Sequence, residues 1–169
     1  SQSTPVWLDK DHVIMNAYKP SSKASGTPIY KIDIKSGEIE ELNYGLNVHG
    51  SHDLKANDDK IYIGNDTEIT DPGPLRWVSE IISIKPKTKE KITEVSTGDN
   101  ETIGDITFDI FENKLLYVDQ DKSTFYIKYD NKISTLSAET KKYNRQSPRI
   151  ANLTWSPDGK YFAYLHEIS

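Results

Sequence analysis

Potential metal ligands cluster in one short segment, residues 49–53, which reads His-Gly-Ser-His-Asp. Two imidazoles three residues apart can reach one ion in a turn, but a zinc site needs further ligands and a shell of groups that orients them. On a strand, His49 and His52 would lie on opposite faces. We therefore predict no metal ion and no cofactor, and treat His49 as a candidate contact residue of a binding surface.

The usual signatures of catalysis are missing from the sequence. No Gly-x-Ser-x-Gly elbow of a serine hydrolase occurs, and no phosphate-binding glycine loop occurs either. The absence of cysteine excludes disulfides, thiolate metal sites and a cysteine nucleophile. Carboxylates and 4 histidines are scattered along the chain, and they leave a composite site open. We assign no catalytic residue.

The adjacent residues Arg76 and Trp77 have the chemistry of a protein-interface hot spot. They close the segment 65–77, which is rich in turn-forming residues and is expected to be irregular. Loops on a rigid scaffold carry binding residues more often than other segments do, so this pair is the first candidate contact. In the alternative, Trp77 covers the edge of its own sheet and Arg76 pairs with a carboxylate. Further candidates on neighbouring connections are Tyr44, His49, Tyr143, Arg145 and Arg149.

A repeated strand unit is expected to position these candidates. Four large apolar residues recur at separations of 47, 54 and 47 residues, namely Trp7, Leu54, Phe108 and Trp155. Another large apolar residue follows each of them seven positions later, and Asn, Asp, Gly and Pro dominate the stretch between. A period of about 40 to 50 residues built from strands predicts the blades of a propeller.

Period-two alternation in three of the four units predicts a second hairpin after the opening one. We therefore predict an all-β fold, a β-propeller fragment of about three four-stranded antiparallel blades plus the opening hairpin of a fourth. The whole of residues 1–169 is one partial propeller, with blades at about 4–45, 51–97, 105–138 and 150–169.

Three and a half blades cannot close a ring, because closed propellers use about four to eight. Two interpretations remain: the chain is a piece of a longer propeller, or two copies complete the ring as a homodimer. In either case, connections between second and third strands and between blades emerge on one face. This rule predicts a shared loop face made of segments 17–28, 43–51, 65–79, 96–105, 119–124 and 137–150.

The last unit carries a recognisable motif at residues 153–164, which read Leu-Thr-Trp-Ser-Pro-Asp-Gly-Lys-Tyr-Phe-Ala-Tyr. This stretch resembles the signature of TolB-like propellers, which also occurs in the amino-terminal propellers of dipeptidyl and acylaminoacyl peptidases. The resemblance implies a propeller fold with WD-like repeats and an exported bacterial protein, and it implies nothing about function. Residues 1–5 themselves show no features of a signal peptide.

Composition limits the partners. The net charge is −5, and the lysines are spread over turns rather than clustered, which argues against nucleic acid. No apolar run approaches the length of a membrane span. We predict a noncatalytic scaffold or binding module for a protein or peptide. The alternatives are a piece of the gating propeller of a prolyl-oligopeptidase-type serine peptidase, or a carbohydrate-processing propeller.

Overall fold

The computed structural model describes residues 5–16, 28–42, 44, 54–57, 60–69, 76–96, 107–119, 124–137 and 149–167. These residues form 14 strands, and no helix occurs among them. The chain divides into two compact units, Ser1–Thr102 and Ile103–Ser169.

The first unit contains two four-stranded antiparallel sheets whose strands follow one another in sequence order. Sheet 1 consists of β1 (Val6–Trp7), β2 (His12–Asn16), β3 (Ile29–Asp33) and β4 (Ile39–Leu42). Sheet 2 consists of β5 (Leu54–Asn57), β6 (Lys60–Ile69), β7 (Arg76–Lys85) and β8 (Glu90–Ser96).

Alternation along the strands gives each sheet an apolar face, and the two faces pack together. The core between sheets 1 and 2 consists of Leu8, Ile14, Ile29, Leu42, Tyr44, Leu54, Ile61, Ile63, Ile82 and Ile84. Residues two apart on a strand share a face, so Ile61 and Ile63 lie beside Ile84 and Ile82 of the neighbouring strand. This packing is what orients β6 and β7.

The second unit contains one four-stranded and one two-stranded antiparallel sheet. Sheet 3 consists of β9 (Phe108–Phe111), β10 (Lys114–Asp119), β11 (Thr124–Tyr129) and β12 (Lys132–Ser137). Sheet 4 consists of β13 (Arg149–Trp155) and β14 (Phe162–Glu167). Their shared core consists of Leu116, Val118, Phe125, Ile150 and Leu153, with Ile127, Trp155, Phe162 and Tyr164 packed against it.

The Ser-Pro-Asp-Gly turn joins β13 to β14 through a compact set of hydrogen bonds. The Ser156 hydroxyl donates to Asp158 Oδ1 at 2.7 Å and accepts the Tyr161 amide at 3.0 Å. Gly159 has a φ of 62°, and a Cβ there would collide with the Phe111 ring. Only glycine therefore fits this position without moving the ring of sheet 3.

The predicted all-β fold, with three four-stranded sheets and one opening hairpin, is confirmed. The equivalence of the four anchor residues is only partly right. Phe108 is fully buried, whereas Trp7 is 59% exposed. Leu54 and Phe108 pair with residues nine positions later, but Trp7 pairs with Val13, six positions later. This shorter spacing places Trp7 on the outward face of sheet 1.

The two tryptophan anchors should therefore differ in their contribution to stability. Trp155 lies against Phe162 and Phe111, at ring separations of 5.9 and 6.5 Å. We expect Trp155→Ala to lower the free energy of unfolding by roughly 3 kcal/mol, the lower end for large aromatic truncations. Trp7→Ala is the matched control and should cost less than about 1 kcal/mol. Urea denaturation measures both, and equal losses would contradict this assignment.

Acid should weaken the Ser-Pro-Asp-Gly turn. The Ser156 hydroxyl and then the Lys160 amide hold the pKa of Asp158 below its ordinary value by donating to the carboxylate. A lowered folded-state pKa stabilises the protein above the ordinary pKa, and that stabilisation is lost as pH falls through the folded value. Asp158→Asn is therefore expected to flatten the loss of stability between about pH 5 and pH 2.

Urea denaturation at a series of pH values measures this slope. Asp130→Asn is the control, because Asp130 lies in another hairpin turn, between β11 and β12. A slope for Asp158→Asn that matches the wild type would show that the turn carries no such linkage.

Candidate functional site

The hairpin of β6 and β7 is longer than its counterparts. Both strands have 10 residues, whereas β2 and β3 have 5 and β10 and β11 have 6. Beyond the pair Asn65 and Glu80, the ladder continues to Ile69 and Arg76. At about 3.3 Å per residue, these four extra pairs add roughly 13 Å. Residues 66–69 and 76–79 are called the arm below.

The arm places Arg76 and Trp77 in a strand. The prediction of an irregular segment over residues 65–79 was therefore wrong for the described part of it. Residue types explain the difference, because Thr67, Ile69, Trp77 and Val78 favour extended backbone. Thr67 pairs with Val78, so strand-forming residues face each other across the ladder. The turn-forming residues of the sequence lie between them, at 70–75, outside the described residues.

Only two strands build the arm, as far as the described strands show. β5 pairs with β6 between Lys60 and Ile63, and β8 pairs with β7 between Glu80 and Lys85. Neither neighbour reaches residues 66–69 or 76–79. A ribbon that stays two-stranded would leave a row of backbone N–H and C=O groups along each outer edge. These edges can accept a further extended segment.

The root of the arm is polar and buried. Asn65 and Ser79 are buried, and Asn65 Nδ2 donates to Glu80 Oε2 at 3.4 Å. Asn65 shares its face of β6 with Ile63, so the amide extends the core face where the apolar residues stop. The pattern Ile-x-Asn could have signalled this root from sequence, but sequence reasoning missed it.

Tyr44 lies in the core of the first unit, on the connection after sheet 1. Its hydroxyl is buried and makes no hydrogen bond among the described residues. Burial raises the pKa of Tyr44, and the negative charge of Glu40 adds to this effect. The Tyr44 carbonyl accepts a hydrogen bond from Lys91 Nζ at 2.9 Å. Tyr44 thus packs sheet 1 against sheet 2, and its role as a contact residue stays a prediction.

The remaining candidates are only partly placed. His49, Tyr143 and Arg145 lie outside the described residues, as does the rest of segment 49–53. Arg149 is the first residue of β13 in the second unit, and its backbone lies opposite that of Glu167 in the ladder. Backbone positions alone are described for Arg76, Trp77 and Arg149. Within the described ranges, no three His, Asp or Glu side chains are arranged to hold a metal ion.

A charged cluster at the turns of sheet 1 was also missed. His12 Nδ1 lies 2.9 Å from Asp9 Oδ1, and His12 Nε2 lies 3.8 Å from Asp33 Oδ2. Both carboxylates also accept backbone amides. The Asp11 amide and then the His12 side chain lower the pKa of Asp9, and the Ser36 amide lowers that of Asp33. Because these carboxylates are occupied by their own turns, the cluster fixes hairpins and offers no ligand site.

Comparison with known proteins supports the fold and leaves the family open. No protein-family model matches the chain, and no curated protein matches it. A provisionally assigned 6-phosphogluconolactonase from Bacteroides fragilis is similar in structure, with a TM-score of 0.52 and 11% identity. The alignment covers 94% of this chain and 46% of that chain, so this chain spans about half its length. At this identity the similarity shows the fold alone: an all-β, propeller-type architecture.

The described ranges contain no helix that is long and apolar enough to cross a bilayer.

Amide hydrogen exchange should show that the arm opens more easily than its root. No third strand pairs with the arm among the described strands, whereas residues 61–63 and 82–84 lie within the four-stranded sheet. We expect arm amides to exchange at least about tenfold faster than those central positions. Equal protection would mean that another segment of the chain covers the edges of the arm.

Proposed function

We propose that the chain is a noncatalytic binding module of the TolB-like propeller type, which holds a protein or peptide partner at the arm. The observation that carries this proposal is the extension of β6 and β7 beyond the strands beside them. Among the side chains that the structure describes, none from the arm belongs to the core between sheets 1 and 2. In this proposal, the strand edges of the arm and the Arg76–Trp77 pair contact another molecule.

Two kinds of interaction would act together at the arm. An extended peptide can hydrogen-bond to a free strand edge, which supplies affinity without reading sequence. Arg76 and Trp77 are adjacent on β7 and would add the specific contacts, because Trp and Arg dominate interface hot spots. Tyr44, His49, Tyr143, Arg145 and Arg149 remain secondary candidates. A propeller that gates a serine peptidase would use the same binding chemistry, so that alternative shares this site.

A sugar-phosphate lactonase is the second candidate, and it rests on the Bacteroides fragilis structure alone. Phosphate is recognised mainly by Arg and Lys side chains and by backbone amides. The buried polar residues of β2, β6 and β10 that the structure describes are Asn16, Asn65 and Asp119, and no Arg or Lys is buried among the described residues. The carboxylate of Asp119 repels a phosphate dianion. We therefore rank the lactonase below peptide binding.

The proposal predicts that Trp77 is needed for binding and not for folding. Peptides selected from a displayed random library on the purified chain serve as the probe. We expect Trp77→Ala to weaken binding of the selected peptides about 30-fold, or roughly 2 kcal/mol, as for other hot-spot residues. Calorimetric titration measures the affinities, and the unfolding transition should stay unchanged.

Trp7→Ala is the matched control, since it removes an exposed tryptophan from sheet 1 and leaves the arm intact. An unchanged affinity of Trp77→Ala for the peptides would show that the arm is not the binding site. Hydrolysis of 6-phosphogluconolactone above its spontaneous rate would favour the lactonase instead. Light scattering at several concentrations tests the homodimer, which would share the arm across a two-fold axis.

A further inference from the structure

The two faces of the arm differ in chemistry, and one of them is acidic. Residues two apart on a strand share a face, and so do residues that lie opposite each other in an antiparallel ladder. The strand period therefore places Asp66 and Glu68 on one face of β6. The residues opposite them on β7, Ser79 and Trp77, lie on the same face. These four residues are called the acidic face below.

The opposite face of the arm is mostly β-branched. Thr67 pairs with Val78 in the ladder. Ile69 pairs with Arg76. Arg76 therefore lies on the other face from Trp77, although the two residues are adjacent in sequence. A partner that covers one face of the arm meets only one of them, so each needs a contact of its own.

The composition of the acidic face favours a cation. Within the described ladder, neither residue opposite a carboxylate is cationic, since Asp66 faces Ser79 and Glu68 faces Trp77. Residues opposite each other have Cβ atoms about 5 Å apart. An aromatic ring attracts a cation within about 6 Å of its centre. A positive group that pairs with Glu68 is thus brought close to the position of Trp77, where both kinds of attraction act together.

We propose, on the basis of the binding function proposed above for the arm, that its partner is an extended peptide in which basic and aliphatic residues alternate. The peptide adds to the edge of β6 that faces away from β7. Its Lys or Arg residues lie opposite Asp66 and Glu68. The aliphatic residues between them lie opposite Thr67 and Ile69, on the other face.

The outer edge of β6 fits such a peptide better than the outer edge of β7 does. Among the described strands, none pairs with this edge beyond Ile63. Along residues 66–69, two acids alternate with two β-branched residues. Opposite charges directly across a ladder stabilise strand pairing and like charges destabilise it, so this edge selects the charge pattern of its neighbour. Residues 76–79 of β7 carry a single charge, at Arg76, and select no alternation.

Short capped peptides of defined sequence test the proposal on the purified chain. The probe is a repeat of alternating lysine and valine. A charge-reversed peptide has glutamate in place of lysine, and a block peptide has all lysines first and all valines last. Fluorescence anisotropy of the labelled peptides measures binding. We expect saturable binding of the alternating peptide, about fivefold tighter than that of the block peptide, and none of the charge-reversed peptide.

The block peptide is needed because the chain has a net charge of −5 and attracts any basic peptide. It has the same charge as the probe and lacks the strand period, so it separates strand pairing from general attraction.

A double variant, Asp66→Asn with Glu68→Gln, removes both charges from the acidic face and keeps the size of the side chains. We expect it to bind the alternating peptide about fivefold more weakly than the wild type, because two opposite-charge pairs are lost. Glu38→Gln with Asp130→Asn is the matched control. It removes two charges from exposed hairpin turns outside the arm, and it should bind like the wild type.

An alternating peptide that binds no better than the block or the charge-reversed peptide would overturn the proposal. Equal affinities of the two double variants would overturn it as well. Either result leaves the binding function of the arm in place, provided that the library-selected peptides still depend on Trp77. If Trp77→Ala binds those peptides like the wild type, the arm is not the binding site and this partner class is wrong with it.

Discussion

The packing of one sheet face against the next is the interaction on which the rest of this structure depends. A single sheet of four short strands buries too little on its own, so each sheet needs a neighbour to cover its apolar face. In the first unit, Ile14 of sheet 1 and Ile61 of sheet 2 are completely buried in one shared core. The positions of the buried amides and of the arm follow from where one sheet stops covering the apolar face of the next. Buried amides such as Asn65 appear where the apolar face stops, and the arm extends beyond it.

Contacts between sheets also fix the turns, so local and long-range structure support each other. The Ser-Pro-Asp-Gly turn is closed by its own hydrogen bonds, yet its glycine also lies against Phe111 of sheet 3. Asp109 of the same sheet accepts the Trp155 amide. A motif that marks the fold in sequence is therefore also the joint between sheets 3 and 4. Ser156 and Asp158 thus close the turn, and Gly159 lets it pack against sheet 3.

Sequence predicted the strands well because their signal is local. Alternation with period two and turn residues between strands identify a hairpin without knowledge of its neighbours. Trp7 was misplaced because its depth depends on which residue it pairs with, and that depends on the length of the turn. The arm was missed for a related reason. Its strand formers flank a turn-rich stretch, and whether they pair depends on a partner across the ladder rather than on the residues beside them.

The charges along the arm bear on how its strands would be used in the proposed binding. The arm carries Asp66, Glu68 and Arg76 along its strands, and charges on an edge discourage pairing with most segments. An edge with such charges suits a partner whose own charges are complementary and which binds reversibly. The proposed partner at the arm is therefore one that binds reversibly.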